Sequence, residues 1–304
     1  MHPAWSVILF STLSGAGYGL LTLLGLGALF GLLPPDRGFA FATLGTALVL
    51  VTAGLLASTG HLGRPERAWR AFSQFRSSWL SREGVMAVVT YPTALAFAAA
   101  WLADVPVLTG ALGLATCLAA VLTVICTGMI YASLPPIPDW HQPWTVPAYL
   151  ALSAATGSLL LVVLASLWEY PVATLREVAL LALAAAFAVK EASWRHIRKR
   201  KPVATVADAT GLAALGTAKL FEAPHTETTW LLREMAYKVA RKHRLKLRGI
   251  VRISLFALPL ACLALALPPV LALISAAVGV LAERWLFFAE ARHTVTLYYG
   301  AAEV

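Results

Sequence analysis

The sequence predicts an all-α polytopic membrane protein: a bundle of eight transmembrane helices with a long basic cytoplasmic loop between helices 6 and 7. Three observations predict it. Hydrophobic residues make up 59% of the 304 residues and charged residues only 13%, about half the ~25% charge of a soluble domain. Apolar runs close to the ~20 residues that cross a ~30 Å hydrocarbon core recur along the whole chain. Basic residues crowd alternate connections, the pattern that membrane insertion leaves.

The runs, in order, are Ser6–Leu33, Gly38–Ser58, Gly84–Leu102, Val105–Ala132, Thr145–Trp168, Val172–Val189, Gly249–Leu267 and Pro269–Phe288. Pro34-Pro35, Pro135-Pro136, Pro138 and Pro268-Pro269 fall at the joints, because proline lacks the N–H that continues a helix. Pro268-Pro269 leaves almost no loop, so the last two helices should form a tight hairpin. The first run has no basic stretch before it and is expected to stay as a spanning helix rather than be cleaved. Gly15, Gly17 and Gly19 follow no strand, so they read as small residues that let membrane helices approach closely, not as a dinucleotide loop. Residues 1–304 read as one transmembrane domain, with a cytoplasmic insertion at about 190–249 and no internal repeat.

The net charge of +9 follows topology and is not a nucleic-acid signature. Eight spans put both termini and loops 2–3, 4–5 and 6–7 on one face. Loop 2–3 carries Arg64, Arg67, Arg70, Arg76 and Arg82, and residues 190–252 carry fifteen Lys or Arg against five acids. The opposite face has only Arg37 and Arg176 against four acids. The basic face and both termini are therefore expected in the cytoplasm. Within loop 6–7, Leu231, Met235 and Val239 recur at four-residue steps from Trp230 to Ala240, an amphipathic helix pattern. It suits either an interfacial helix on anionic headgroups or a docking surface for a cytoplasmic partner.

Chemistry is expected between spans two and three. His61 follows span two, and Glu83 opens span three behind Ser81, a candidate N-cap. One ends a helix and the other begins the next, so both should sit at one depth on one face. Histidine titrates near neutrality and both gives and takes protons; a carboxylate can accept a proton or relay one. A quinone needs such partners, because its two-electron reduction takes up two protons. Arg64 and Arg82 can hydrogen-bond to the pair or to a ligand carbonyl, and Trp79, Trp69 and Tyr91 supply flat apolar surface. Tyr131, at the end of span four on the same face, can line the same pocket or anchor the interface.

Glu283 and Arg284, inside span eight, read as a pair held with each other or with a neighbouring helix. Arg292 and His293 read as boundary residues, and His196, His225 and His243 as solvated. Cys117, Cys126 and Cys262 lie in apolar runs without a Cys-x-x-Cys pair, so no iron–sulfur cluster is expected in this chain. No histidine lies deep in a span, so no haem is expected, and no zinc or nucleophile motif is present.

These residues carry a resemblance. His2-Pro-Ala-Trp-Ser-Val, His61-Leu-Gly-Arg-Pro-x-Arg-Ala68, Ser78-Trp-Leu-Ser-Arg-Glu83, Thr127-Gly-Met-Ile-Tyr131, Pro224-His225-Thr and Glu234-Met-Ala-Tyr together resemble the membrane anchor family of the dimethyl sulfoxide reductase type. The resemblance covers nearly the whole chain, and the block from His61 to Glu83 is its specific part. It implies an eight-helix anchor in the bacterial cytoplasmic membrane without a metal centre of its own. A four-cluster, ferredoxin-like iron–sulfur subunit would dock on the anchor, and a molybdopterin catalytic subunit on that. The family's quinol-interacting histidine and glutamate correspond by motif to His61 and Glu83. With the basic face cytoplasmic, the chain looks most like the branch of cytoplasmic sulfite dehydrogenases, passing electrons from sulfite to ubiquinone or menaquinone. The other branch in view is an anchor of a dimethyl sulfoxide or related reductase oxidising menaquinol.

Two readings of other classes compete. A secondary transporter would show paired halves with helices broken at mid-membrane, which the sequence lacks. A purely structural tether would need neither His61 nor Glu83.

Overall fold

The computed structural model describes residues 3–60, 62–222 and 238–304. Its long helices are α1 (Trp5–Leu29), α2 (Arg37–Thr59), α3 (Trp79–Leu102), α4 (Pro106–Ala132), α5 (Thr145–Leu167) and α6 (Ala173–Lys199). After the short α7 (Val206–Thr210) come α8 (Lys238–Val251), a π-helical segment (Arg252–Ala257), α9 (Leu258–Ala264) and α10 (Pro269–Ala289). Among the described residues, seven helices are long and apolar enough to cross a membrane, with His243–Ala264 counted as one. The exception is α6, which carries Arg176, Glu177, Lys190, Glu191 and Arg195.

The centre of the bundle is α1, packed against α2, α4 and α5, while α3 lies against α4 and α6 against α5. Glycine makes this closeness possible. A Cβ on Gly19 would collide with the Ser153 carbonyl, and one on Gly157 with the backbone of Gly19. In lipid, such approach supplies the van der Waals contact that holds helices together. Where backbones stand further apart, leucines and aromatics fill the gap: Leu20, Leu21 and Leu24 of α1 are fully buried in one apolar cluster with Phe97 and Val51.

Helix starts follow local chemistry. The Asp36 carboxylate accepts from Phe39 N (2.7 Å) and caps α2. At α3 the structure corrects the expected cap. Ser78, not Ser81, is the N-cap, its hydroxyl accepting from Ser81 N (3.5 Å). The helix thus starts at Trp79, and Glu83 stands in its second turn with its side chain inward. The extended backbone at Ser78 is what frees its hydroxyl to face the first turn.

Two stretches depart from simple expectation. Pro259 has no N–H to return to Leu255, and the π segment Arg252–Ala257 sits directly ahead of it, redistributing the hydrogen bonds. The Leu255 backbone also presses on Gly279 of α10. Loop 2–3 is not irregular: Pro65–Gln74 forms a 3-10 helix, strongly amphipathic, lying across the end of α3. Most of the amphipathic pattern expected at Trp230–Ala240, together with His225, lies outside the described residues. Farther on, the chain end returns to the segment after α6, where Val203 N donates to Val304 O (2.7 Å) and Val206 N to Ala302 O (3.0 Å).

Candidate functional site

At the end of the bundle where α1 and α3 begin and α2 and α4 finish, a cavity of about 530 Å³ opens. This is within the roughly 300–1,000 Å³ usual for small-molecule sites. Its walls come from five elements. Val7 and Phe10 belong to α1, Leu55, Ser58 and Thr59 to α2, Leu80, Glu83, Ala87, Val88 and Tyr91 to α3, and Ile130 and Tyr131 to α4. Ala68, Ala71 and Phe72 of the 3-10 helix cover the end. The lining is mostly apolar, and Leu80 and Val88 of the wall are also exposed on the outside of the bundle. The cavity therefore suits a flat, lipid-soluble ring.

Among the described residues, Glu83 is the one carboxylate in this wall, and it is 5% exposed. Its Oε1 accepts a hydrogen bond from Thr127 Oγ1 (2.5 Å), across the α3–α4 contact. The same hydroxyl also lies 3.0 Å from Thr123 O, and Thr123 meets Thr90 of α3 (3.3 Å). A carboxylate held inside a membrane by one neutral hydroxyl is expensive, which marks it as a functional candidate. Tyr91 OH pairs with Thr52 Oγ1 (2.7 Å), joining α3 to α2. Behind the cavity, Tyr131 stacks on Tyr149 (centroids 5.7 Å) and meets Trp140, Phe287 and Phe288 edge-on. This ring cluster fixes the orientation of the Tyr131 side chain.

Of the residues singled out from the sequence, Glu83, Tyr91 and Tyr131 share this cavity. His61 lies outside the described residues, although Thr59 and Leu62 on either side of it in sequence line the wall. Arg64, Trp79 and Arg82 are not brought to the cavity. Arg64 is exposed ahead of the 3-10 helix. Arg82 turns back to the loop, donating to Phe75 O (3.0 Å) and Arg76 O (2.8 Å) and covering the Trp79 ring at 4.2 Å. The carbonyls at the end of the 3-10 segment have few other donors, so the guanidinium fork closes that turn. The sequence names Thr127 only as the start of the Thr127–Tyr131 motif and gives it no role. Its signal is the four-residue step Thr123, Thr127, Tyr131, which lines one face of α4 with hydroxyls.

A second polar cluster lies deeper. Glu283 and Arg284 of α10 pair with each other (2.5 Å), and Glu283 also meets Lys190 of α6. All three are almost fully buried. The Arg284 guanidinium covers the Tyr149 ring at 4.3 Å. Towards the basic face, Arg248 pairs with Glu290 (2.8 Å), Arg252 with Glu191 (2.6 Å), and Arg292 grips Asp139 through two nitrogens (3.0 and 2.8 Å). Of these, Arg248, Glu290, Arg292 and Asp139 border a basic cleft of about 190 Å³ with Arg198, Arg200 and Arg244. Burial pushes the Glu290 carboxyl up, against the pull of Arg248. No group of three or more metal-ligating side chains occurs among the described residues.

A bundle of apolar helices long enough to cross a membrane, with a buried carboxylate beside an apolar cavity, defines a class: an integral membrane protein. Comparison with known proteins then gives the family. Residues 1–289 match the family described as DMSO reductase anchor subunit (DmsC), and the chain belongs to that family. It is a membrane anchor subunit of an oxidoreductase complex. It is also 33% identical to a sulfite dehydrogenase subunit from Allochromatium vinosum, over 98% of this chain and 99% of the relative.

Proposed function

We propose that this chain is the quinone-reactive anchor of a molybdenum and iron–sulfur oxidoreductase, exchanging electrons between an iron–sulfur subunit and the membrane quinone pool. The observation that carries the reading is Glu83, buried in the wall of a 530 Å³ apolar cavity at one end of the bundle. The cavity takes the ring, Tyr131 and Tyr91 flank it, and Glu83 gives a proton to a ring oxygen as electrons arrive. His61, one residue from Leu62 of the wall, is the proposed second proton partner. The flanking residues Arg64, Trp79 and Arg82 act on the ligand only indirectly, through the covering 3-10 segment.

Sulfite oxidation coupled to quinone reduction is the favoured overall reaction, supported by the similarity to a sulfite dehydrogenase subunit over nearly the full chain. The family description supports the second reading, a reductase drawing electrons from menaquinol. The proposed complex also holds a four-cluster iron–sulfur subunit and a molybdopterin subunit.

Eight crossings are proposed, with α6 as the sixth. Two of the charges that set α6 apart are neutralised by neighbours, Lys190 by Glu283 and Glu191 by Arg252. An even count puts both termini and the basic cleft on one side, and the arginine excess favours the cytoplasm of a bacterial inner membrane.

The test is Glu83→Gln in the intact complex. Quinone-coupled turnover should fall at least about 100-fold, while electron transfer to a soluble dye that bypasses the anchor stays at the wild-type rate. Equal loss in both assays would argue against a quinone role.

A further inference from the structure

The basic cleft shares no lining residue with the apolar cavity. Among the described residues, five arginines and two carboxylates line it. Arg198 and Arg200 stand at the end of α6, Arg244 and Arg248 one turn apart on α8, and Arg292 just after α10. The carboxylates are already taken. Both Asp139 oxygens accept from Arg292, and Glu290 accepts from Arg248. Arg198, Arg200 and Arg244 belong to none of the ion pairs among the described residues. A surplus of three positive charges therefore gathers around one space of about 190 Å³. Like charges held this close repel, and an anion placed among them turns repulsion into attraction.

Two of the arginines are held in position while keeping donors free. Arg200 Nη1 donates to the carbonyls of Pro138 and His141, which fixes the guanidinium and leaves its Nε and Nη2 for another acceptor. Arg248 is only 2% exposed. Its Nη2 holds Glu290 at 2.8 Å and its guanidinium lies 5.2 Å from the centre of the Trp194 ring. Its Nε is buried and has no hydrogen-bond partner among the described residues. A bare buried donor on a charged group is costly, and the oxygen of an anion in the cleft would satisfy it.

Geometry and depth narrow the anion. Guanidinium forks converge from three segments of the chain. A tetrahedral phosphate offers oxygens in several directions and suits such a set, whereas a carboxylate offers two in one plane. Arg244 and Arg248 lie in the first two turns of the membrane-length helix His243–Ala264, and Glu290 and Arg292 directly follow Pro269–Ala289. The cleft thus sits where two spans end, the level at which basic pockets between membrane helices take lipid headgroups.

We propose that the cleft is a phosphate-binding site, filled by the headgroup of an anionic phospholipid or by a free phosphate ion. Arg248 Nε and Arg200 supply fixed donors, and the exposed Arg198 and Arg244 close over the anion from opposite sides. The site is independent of the quinone reading.

The test compares the intact wild-type complex with an Arg198→Gln, Arg244→Gln variant, both in mild detergent, by native mass spectrometry. These two arginines support no carboxylate, so the fold should survive their loss. The wild-type complex should carry one more bound phosphate compound than the variant, and titration with phosphatidylglycerol or inorganic phosphate at constant ionic strength should show binding at least about tenfold weaker in the variant. An added mass equal to a phospholipid identifies the lipid as the source, and one equal to phosphate identifies the free ion; either supports the site. Equal occupancy in the two proteins, or none in either, would overturn it. So would a wild-type complex without the added mass whose variant sheds a partner subunit, since the arginines would then be serving an acidic protein surface. If the variant does not assemble, a high-resolution density map of the wild-type complex decides: tetrahedral density within hydrogen-bonding reach of Arg248 Nε supports the site, and an empty cleft or a partner side chain there refutes it.

Discussion

The Thr127 hydroxyl donates to the Glu83 carboxylate at 2.5 Å, and this bond joins α4 to α3 beside the large apolar cavity. Thr127→Val keeps the shape and removes the donor, leaving a buried carboxylate bare. The complex should lose about 1–3 kcal/mol, read as a fall in the unfolding midpoint. Thr127→Ser, which keeps the hydroxyl, should lose far less. Equal losses would mean that packing, not the hydrogen bond, matters at this position.

The 3-10 cover offers a way to fill the cavity without disturbing the bundle. Ala71 is half-buried on its inner side. Ala71→Phe should raise the quinone KM about tenfold and leave kcat nearly unchanged, the signature of lost ground-state binding. Steady-state kinetics over a range of quinone concentrations would measure it.

Arg82 should matter through the same cover. Arg82→Lys loses the planar fork that reaches two carbonyls at once. Cleavage by a protease within residues 65–78 should become several-fold faster, with the quinone KM rising in parallel. Unchanged cleavage would remove Arg82 from the account of how the cover is held.

The buried cluster around Glu283 predicts an order of severity. Glu283→Gln leaves Lys190 and Arg284 as two unpaired buried cations, and breaking a buried pair costs ~3–5 kcal/mol. Lys190→Met leaves the neutral Glu283–Arg284 pair intact and should be milder. The yield of assembled complex, compared between the two variants, tests the ordering; the reverse order would refute the pairing scheme.

Glycine contacts predict a sharp contrast between two positions. Gly157 touches the Gly19 backbone, whereas nothing lies within 4 Å of a Cβ placed on Gly15. Gly157→Ala should destabilise by about 1–3 kcal/mol, and Gly15→Ala should be neutral in the same thermal assay.

Much of this is legible in the sequence because it depends on periodicity and on terminal signals. Seven of the expected spans appear as apolar helices; six lie within about five residues of their predicted ends, the one expected from Gly249 already begins at His243, and α9 and α10 are separated by only residues 265–268. What cannot be read is what depends on side-chain direction across elements. Arg82 sits one residue from Glu83, yet points to the loop, because successive helix residues lie about 100° apart and the carbonyls of Phe75 and Arg76 compete for it. Ser81 has the chemistry of a cap, but the helix begins at the earlier serine. Lys190 has the sequence context of a solvated basic loop, and it is buried, because Glu283 waits on α10. Local patterns announce none of these long-range partners.

The position of Glu83, near the start of α3, has an energetic consequence for the cell under the quinone reading. With the partner subunit docked on the basic side, as the proposed topology has it, electrons and protons would both reach the quinone from one compartment. No charge then crosses the insulating layer during turnover. Such a reaction builds no voltage by itself, and conservation of its energy falls to whichever enzyme later reoxidises the quinol on the opposite surface.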